Sequence, residues 1–253
     1  DGFQYIYQNV KKNVHLSSIS GGTDIVSCFV LGNLYQPVYM GEIQNNGLAL
    51  DVDIFNDKGN SIKNKKGELV CRNPFPSMPL KFWNDKNDKK FKDAYFNRFS
   101  NSWHHGDFAE KKDTGGFIIH GRSDTTLNPG GVRLGTSEIY SEVEKFPQIK
   151  ESIVVGQSWD NDVRIILFVV MNQKFKFTEE LLKKIKIQIR ENTSPRHVPR
   201  KVIVVKDIPR TKSGKIVELA VKNVIEGNNI KNKEALANPK SLKHFKNLKE
   251  LSY

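Results

Sequence analysis

Cysteine is scarce in this sequence, with Cys28 and Cys71 the two that occur among 253 residues. They lie far apart and in no metal-binding motif, so the sequence predicts neither a disulfide framework nor a zinc site. We therefore expect a reducing compartment, the cytoplasm. The sequence also has no apolar run near the roughly 20 residues that span a bilayer, so we expect no membrane segment.

The start of the sequence has neither an initiator methionine nor the features of a secretory signal. It reads Asp1-Gly2-Phe3-Gln4, without the basic region and the apolar core that signal peptides need. We therefore expect a fragment or a processed product of a longer protein.

The sequence does contain enough apolar material for packed cores, and it has an excess of positive charge. Hydrophobic residues make up 38% and aromatic residues 10% of the chain, which supports one large domain or two modest ones. The net charge is +12, and most of the excess lies after residue 123. Such a bias suits polyanionic partners, meaning nucleic acid or phosphorylated small molecules, although a solvated lysine-rich face is the commoner explanation.

The two halves of the chain differ in pattern. Before residue 123, short apolar runs alternate with Gly, Asn, Asp and Lys clusters, which predicts β-hairpins. The predicted strands include 3–10, 14–19, 25–31, 48–55 and 68–71, and 82–99 predicts one or two short helices. After residue 123 strands are predicted at 152–156, 163–171 and 201–205, between helices over 136–146, after Thr178 and around 217–225. We therefore expect a β-rich part followed by a small α+β domain whose sheet is covered by helices on at least one face.

Inward-facing residues can be named for two of these helices. Ile139, Val143 and Phe146 share one face of the first, and Thr178 caps a second helix in which Leu182, Ile185 and Ile189 face inward.

The segment 121–138 separates the two halves and reads as a hinge beside a binding loop. Arg122 and Asp124 flank a serine, and the glycines of Asn128-Pro129-Gly130-Gly131 permit positive φ and close approach of a ligand. Residues 132–134 predict a short strand, after which Thr136 or Ser137 caps a helix with Glu138 in its first turn. A linker without chemistry is an equally good interpretation of this segment alone.

Three further motifs are weak when each is taken by itself. Ser20-Gly21-Gly22-Thr23-Asp24 fits a ligand-binding turn, but an ordinary turn is the commoner structure. Trp103-His104-His105-Gly106-Asp107 lacks further ligands at metal spacing, and two adjacent histidines on a strand point in opposite directions. The loop 208–215 lacks the GxxxxG of a P-loop, so it also fits a solvated basic turn.

Taken in order, these four motifs resemble the adenylate-forming acyl-CoA synthetase superfamily. Within it the strings at 18–24, 67–80 and 232–239 are similar to the acetoacetate–CoA ligase family. The resemblance covers nearly the whole chain, but family members are much longer, and their phosphate-gripping loop lies upstream of these motifs. It implies the β-rich end of a large N-terminal nucleotide-binding domain over 1–123, and a small mobile α+β C-terminal domain over 124–253.

The resemblance also implies a reaction and its substrates. The whole enzyme would convert acetoacetate, ATP and CoA to acetoacetyl-CoA, AMP and pyrophosphate through an acyl-AMP intermediate. The implied nucleotide-binding residues are Gly21, Gly22, Thr23, Asp107 and Arg122. Asp24 stands where the family has a glutamate that helps to hold Mg²⁺.

The remaining roles fall in the second half of the chain. The resemblance implies that Lys215 is the catalytic lysine of adenylation and that Asp124 is the hinge residue. The implied CoA-binding residues are Gly130, Gly131, Arg133 and Arg190.

Other functions stay open on the sequence alone. The chain could belong to a ligase for another short acid such as acetate or propionate, because the acyl pocket is built mostly upstream. It could also be a catalytically silent nucleotide- or CoA-binding fragment. A nucleic-acid-binding module has little support, because the lysines are scattered and no aromatic residues interleave with them as stacking platforms.

Overall fold

The computed structural model describes residues 2–230 and 233–252, so Asn232, the first residue of the motif at 232–239, lies outside the described residues. The chain divides into two compact units, of which the N-terminal unit ends at Ile119 and the C-terminal unit begins at His120. Both units combine helices with β-sheet, as expected. None of the helices in the described residues has the length and apolar composition that a membrane crossing requires.

The N-terminal unit is built from two antiparallel sheets and two short helices. Its helices are α1 (Gly2–Asn9) and α2 (Lys89–Tyr95). Its strands are β1 (Ser20–Gly22), β2 (Ser27–Leu31), β3 (Asn45–Asn46), β4 (Val52–Phe55), β5 (Lys66–Cys71), β6 (Trp103–Lys111) and β7 (Phe117–Arg122), the last of which crosses into the second unit. One sheet has the order β1-β2-β3 and the other the order β4-β5-β6-β7.

The strands predicted at 3–10 and 14–19 are wrong. The first region forms α1, in which the rings of Phe3 and Tyr7 meet at 6.4 Å across one helical turn, and the second has no regular structure before Ser20. A short run with few apolar residues fits both periods, so its pattern cannot separate helix from strand. The predicted short helix within 82–99 is confirmed as α2.

An aromatic cluster around Trp103 forms the core of the N-terminal unit. Trp103 is 1% exposed and packs against Phe29, Phe75 and Phe91, with ring centroids 5.5–6.4 Å apart. Tyr95 of α2 stacks on it at 3.6 Å. Helix α2 therefore packs against β6 through aromatic rings, and this contact fixes where Tyr95 lies.

The C-terminal unit contains one mixed sheet with helices on both faces. Its helices are α3 (Thr136–Val143), α4 (Glu179–Asn192) and α5 (Glu218–Ile225), and its strands are β8 (Ile149–Trp159), β9 (Asp162–Met171) and β10 (Lys201–Val204). The sheet order is β10-β9-β8, with β8 antiparallel and β10 parallel to β9. Asp160 and Asn161 both have positive φ, as a two-residue hairpin turn between β8 and β9 requires. The parallel pair needs a crossover, which α4 provides.

The strand β9 is buried on both faces. Ile165, Leu167 and Val169 pack in one cluster with α3 and α4, and their neighbours Ile166 and Phe168 pack in a second cluster with α5 and the chain end. This explains the unbroken apolar run at 163–171, since a strand covered on both sides has no solvent-facing positions. The expected helical cover on at least one face is confirmed on both.

Three local expectations for this unit need correction. Residues 132–134 form no strand: the single bridge Leu127–Leu134 is present instead. The N-cap of helix α3 is Gly135, not Thr136 or Ser137: Thr136 is already the first helical residue, and the Ser137 hydroxyl donates to the carbonyl of His120 at 3.0 Å instead. In α4 Leu181 is buried, and Leu182 is not. Both leucines fit the helical spacing, so the sequence pattern could not distinguish them, and the tertiary packing buries Leu181.

The caps of α4 and α3 are otherwise as expected. Thr178 caps α4 by accepting a hydrogen bond from the amide of Leu181 at 3.2 Å. Glu138 lies in the first turn of α3, where its carboxylate accepts from the amide of Gly135 at 3.3 Å.

Two isoleucines of α4 provide a test of this packing. Ile185 is 0% exposed and Ile187 is 53% exposed. We expect Ile185→Ala to lower the free energy of unfolding of the C-terminal unit by about 2–5 kcal/mol, because it leaves a cavity against the sheet. Ile187→Ala makes the same change in helix propensity at the surface and should cost less than about 0.5 kcal/mol. Chemical denaturation followed by circular dichroism measures both, and equal losses would contradict the described packing.

Candidate functional site

The hairpin of β1 and β2 requires glycine at two positions. A Cβ on Gly21 would lie 2.2 Å from the carbonyl oxygen of Ser27 on the paired strand. A Cβ on Gly22 would lie 2.6 Å from the Cε1 atom of His105. Both distances are far below van der Waals contact, so larger residues cannot occupy these positions without displacing their neighbours. Thr23 and Asp24 follow at the exposed turn.

A bulge in β6 determines where Asp107 lies. Glu68 of β5 pairs with Phe108, but Val70 pairs with His104, so β6 has two extra residues between these pairs. Gly106, within the bulge, has φ of 81°. Bulges bend a strand and redirect its side chains. Here the bulge places Asp107 in a buried position, 7% exposed, with its carboxylate 3.7 Å from the Nε2 atom of His105.

The structure therefore brings together two motifs that are distant in the sequence. His105 contacts the backbone at Gly22 on one side and the carboxylate of Asp107 on the other. Trp103 donates a hydrogen bond from Nε1 to Nδ1 of His105 at 3.4 Å, which favours a proton on Nε2 facing Asp107. His105 carries no role in the sequence-based interpretation, and its position in the motif 103–107 was the available signal.

The adjacent histidines have different partners, as the alternation of a strand predicts. His104 lies 2.8 Å from Glu68, a carboxylate that is fully buried and also accepts from Arg98 at 2.8 Å. This cluster neutralises a buried charge and keeps β5 and β6 together. It is a structural group on the side of the strand away from Asp107.

Tyr95 is a second residue that the sequence did not single out. Its hydroxyl donates to Oδ2 of Asp24, and its ring stacks on Trp103 at 16°. Asp24 is exposed and retains a second oxygen for a ligand. Within the described residues no group of three His, Cys, Asp or Glu side chains could hold a metal ion. A single carboxylate still fits Mg²⁺ bound to a nucleotide, because that ion takes most ligands from phosphates and water.

Arg122 and Asp124 lie where the chain leaves β7. Asp124 is in the short turn Ser123–Thr125, and its carboxylate is 3.6 Å from Nε of Arg122. Both side chains are 48% exposed. The turn is held by local bonds, including one from the Thr126 hydroxyl to the carbonyl of Ser123 at 2.8 Å.

The Gly130-Gly131 loop has the conformation that its glycines predict. Their φ values are 58° and 76°. The amide of Gly130 donates to both carboxylate oxygens of Asp162, at 2.8 and 3.0 Å. Hydrogen bonds from the amides of Val163 and Gly130 lower the pKa of Asp162, so its negative charge persists into mild acid. The loop is therefore tied to the start of β9.

Basic side chains gather beside this loop. Lys186, Arg196, Arg200 and Lys201 line part of a groove of about 630 Å³, and the guanidinium of Arg196 lies 3.7 Å from where a Gly130 Cβ would be. Arg190 is exposed one helical turn after Lys186, and Arg133 is half-buried near the loop's end. The sequence analysis identified Arg133 and Arg190 but not this groove. The sequence feature that could have indicated the groove is the group of basic residues within 196–201.

A buried histidine anchors the groove's lining. His197 is 5% exposed, with the Ser194 hydroxyl 2.8 Å from Nδ1 and the carboxylate of Glu138 3.3 Å from Nε2. It connects the segment after α4 to the first turn of α3. The sequence offered no specific signal for this network.

Lys215 lies on an exposed hairpin loop, as expected. Arg210 and Ile216 form a bridge at its base, and the amide of Thr211 donates to the carbonyl of Lys215 at 2.8 Å. Residues 212–216 are exposed. Gly21, Gly22, Thr23, Asp24 and Asp107 thus belong to the N-terminal unit, whereas Arg122, Asp124, Gly130, Gly131, Arg133, Arg190 and Lys215 belong to the C-terminal unit.

Known proteins resemble the chain over nearly its whole length. A model of the AMP-binding enzyme C-terminal domain matches residues 138–215. The acetoacetyl-coenzyme A synthetase of Rhizobium meliloti (strain 1021) is 58% identical over 99% of this chain and 39% of its own length. The acetoacetyl-CoA synthetase of Xenopus tropicalis is 48% identical over 98% of this chain and 37% of its own.

A solved structure extends this likeness to the fold. The acetoacetyl-CoA synthetase from Streptomyces lividans superimposes with a TM-score of 0.92 and 37% identity, covering 100% of this chain and 39% of that one. This chain thus spans about two fifths of the length of its relatives. The AMP-binding enzyme C-terminal domain lies within it, and the identity extends across both units. The chain therefore belongs, as a C-terminal part, to the acetoacetyl-CoA synthetase family of adenylate-forming acyl-CoA synthetases.

Proposed function

We propose that the chain is part of an ATP-dependent acid–thiol ligase that converts acetoacetate and CoA to acetoacetyl-CoA through an acyl-AMP intermediate, with release of AMP and pyrophosphate. The names of its relatives favour acetoacetate over acetate or propionate. The observation that carries the nucleotide part of the proposal is the meeting of Gly22 and Asp107 on His105. Residues 1–123 are then the end of the nucleotide-binding domain, and 124–253 are the mobile C-terminal domain.

Asp107 is the residue that we assign to the ribose. A carboxylate accepts two hydrogen bonds at once, which suits a pair of adjacent hydroxyls. The bulge and His105 hold this carboxylate in one orientation before ATP binds, so little freedom is lost on binding. Gly21, Gly22 and Thr23 line the adenine and α-phosphate region in this proposal, and Arg122 adds a donor near the ribose.

Magnesium enters this proposal as part of the MgATP substrate. Asp24 contributes one carboxylate oxygen, because its other oxygen already accepts from the Tyr95 hydroxyl. The role fits a cation that keeps most of its phosphate and water ligands. The ion would neutralise charge on the phosphates during attack by acetoacetate.

Lys215 is the proposed catalytic group of adenylation. When a carboxylate attacks the α-phosphorus of ATP, negative charge spreads over the phosphoryl oxygens, the attacking group and the leaving pyrophosphate. A preorganised ammonium stabilises that charge. The exposed position of Lys215 on a rigid hairpin loop supports this role, since the side chain is presented to ligands rather than packed in a core.

The second half-reaction uses other residues of the C-terminal unit. In this proposal a change of backbone angles at Asp124 rotates the C-terminal domain, so that Lys215 leaves the active site and the Gly130-Gly131 loop enters it. The backbone of this loop then guides the pantetheine arm. Arg133 and Arg190 bind CoA phosphates, and bidentate guanidinium contacts suit that task. The net positive charge of the groove beside them supports an anionic ligand.

A pair of lysines on one loop tests the catalytic assignment. In the full-length protein that contains this chain, we expect Lys215→Ala to lower acetoacetate-dependent pyrophosphate release by about 10²–10³-fold. Conversion of supplied acetoacetyl-AMP and CoA to thioester should continue, because that step does not use the ammonium. Lys212→Ala removes an exposed lysine from the same loop and should leave both rates unchanged. Equal loss of both half-reactions in Lys215→Ala would contradict the division of roles.

Asp124→Pro tests the hinge. Proline fixes φ near −65°, removes a backbone donor and disfavours the helical conformation of Ser123, which lies in the turn Ser123–Thr125. If the adenylating conformation is the one retained, acyl-AMP should form normally while thioester formation from preformed adenylate falls at least about tenfold. Single-turnover rates of the two steps measure this.

The matched control for the hinge is Asp124→Ala. It removes the carboxylate near Arg122 but leaves the backbone angles free. Both rates should then stay close to those of the unmodified enzyme. If proline and alanine give the same rates in both steps, Asp124 is an ordinary linker residue.

A further inference from the structure

The Lys215 loop is closed by hydrogen bonds between its own residues. Beyond the contacts at its base, the amide of Lys215 donates to the Thr211 hydroxyl at 3.1 Å, and the amide of Gly214 donates to the Thr211 carbonyl at 2.9 Å. Both bonds lie inside the loop. The orientation of Lys215 therefore depends on what holds 209–211 at the base.

The segment 235–238, near the end of the chain, lies along that base and joins it through one isolated β-bridge and two backbone hydrogen bonds. Leu236 forms a bridge with Thr211. The amide of Lys212 donates to the carbonyl of Ala235 at 3.1 Å, and the amide of Ala237 donates to the carbonyl of Arg210 at 2.8 Å. Leu236 is buried against Ala220 and Leu242, which anchors the segment to α5.

Asn238 ends this segment and holds the start of the loop. Its Oδ1 accepts from the amide of Arg210 at 2.8 Å. Its Nδ2 donates to the carboxylate of Asp207 at 2.7 Å and to the carbonyl of Ile208 at 2.8 Å. One half-buried amide thus binds three residues that lead into the loop, and both of its ends are used.

Ion pairs of Arg210 add to this attachment. Arg210 pairs with Glu151 on β8 and with Asp207 at 3.3 Å. Burial by itself would raise the pKa of Asp207. Hydrogen bonds from Asn238, the Ile208 amide and Arg210 outweigh this effect and lower the pKa, so the carboxylate stays charged. On the far side of the loop, the Tyr140 hydroxyl donates to Glu218 at 2.6 Å at the start of α5. The base is thus fixed to β8, α3 and the chain end.

We propose that Asn238 is a positioning residue for adenylation: through its bonds to 207–210, the segment 235–238 sets the direction in which Lys215 is presented. This inference rests on the proposed function of Lys215. Asn238 does not touch substrate in this account. Asn238 acts through the backbone of the loop. Its substitution should therefore lower the rate of the half-reaction that uses Lys215 and leave the rate of the other half-reaction unchanged.

Asn238→Ala in the full-length protein tests the proposal. The substitution removes all three side-chain bonds but keeps the backbone carbonyl of Asn238, which accepts from the amide of Ser241 at 2.9 Å, so the following turn is retained. We expect pyrophosphate release to fall about 10–100-fold, because small displacements of a catalytic group have costs of that size. Thioester formation from supplied acetoacetyl-AMP and CoA should change by less than about twofold.

Ile185→Ala is the control for stability. Ile185 is 0% exposed and packs in the cluster of α3 and α4, on the opposite face of the sheet from the cluster that contains Ile208. It should lower the melting temperature without changing the ratio of the two half-reaction rates. Hydrogen exchange on the full-length protein gives an independent readout: the amides of Thr211, Lys212 and Gly214 should exchange about tenfold faster in Asn238→Ala, while the exchange of the β9 amides should not change.

The outcomes separate this inference from the proposed function. Unchanged pyrophosphate release in Asn238→Ala, with Lys215→Ala inactive in that step, would overturn the positioning role and leave the proposed function intact. An equal fall of both half-reactions would also overturn it, since that is the signature of a destabilised domain. If Lys215→Ala itself releases pyrophosphate normally, the proposed function fails, and the role of Asn238 fails with it.

Discussion

Burial of β9 on both faces is the constraint on which the C-terminal unit depends. A central strand with no solvent-facing side chains must be covered twice, so α3 and α4 pack on one face and α5 with the chain end on the other. The loops that carry chemistry are then fixed by the elements they join. The Gly130-Gly131 loop is tied to Asp162 at the start of β9, and the Lys215 loop leads into α5. Polar and charged groups thus lie at the edges of a core that cannot rearrange cheaply.

The N-terminal unit depends instead on a β-bulge in an otherwise regular sheet. The bulge in β6 includes Gly106, between His105 and Asp107, and the side chains of these two residues lie together beside the glycine hairpin. The aromatic cluster around Trp103 stabilises this arrangement, because Trp103 donates a hydrogen bond to His105. His104, one residue away, serves the opposite side of the strand by pairing with buried Glu68. The Glu68–His104 pair and the carboxylate of Asp107 are thus carried by the same pair of strands but lie apart.

The two units also divide the chemistry in a consistent way. Asp107 is buried and held by its neighbours, whereas Lys215 and Arg190 are exposed on a loop and near a helix end. In the proposed function, the buried carboxylate would hold the nucleotide and the exposed basic groups would be presented to ligands. The turn around Asp124, near the start of the C-terminal unit, contains short-range hydrogen bonds of its own.

The sequence by itself determined the strongly periodic elements and the identity of the motifs. The apolar run of β9, the Thr178 cap of α4, the exposed lysine loop and the ordered glycine and aspartate motifs all follow from local patterns that tertiary contacts do not override. Only the tertiary structure decided the rest: the helix at 2–9, the choice of Leu181 over Leu182, and the contacts of His105, Tyr95, His197 and Asn238. The contacts of His105, Tyr95 and Asn238 join residues that are distant in the chain, and neither propensity nor spacing carries information about which distant side chain will be the partner.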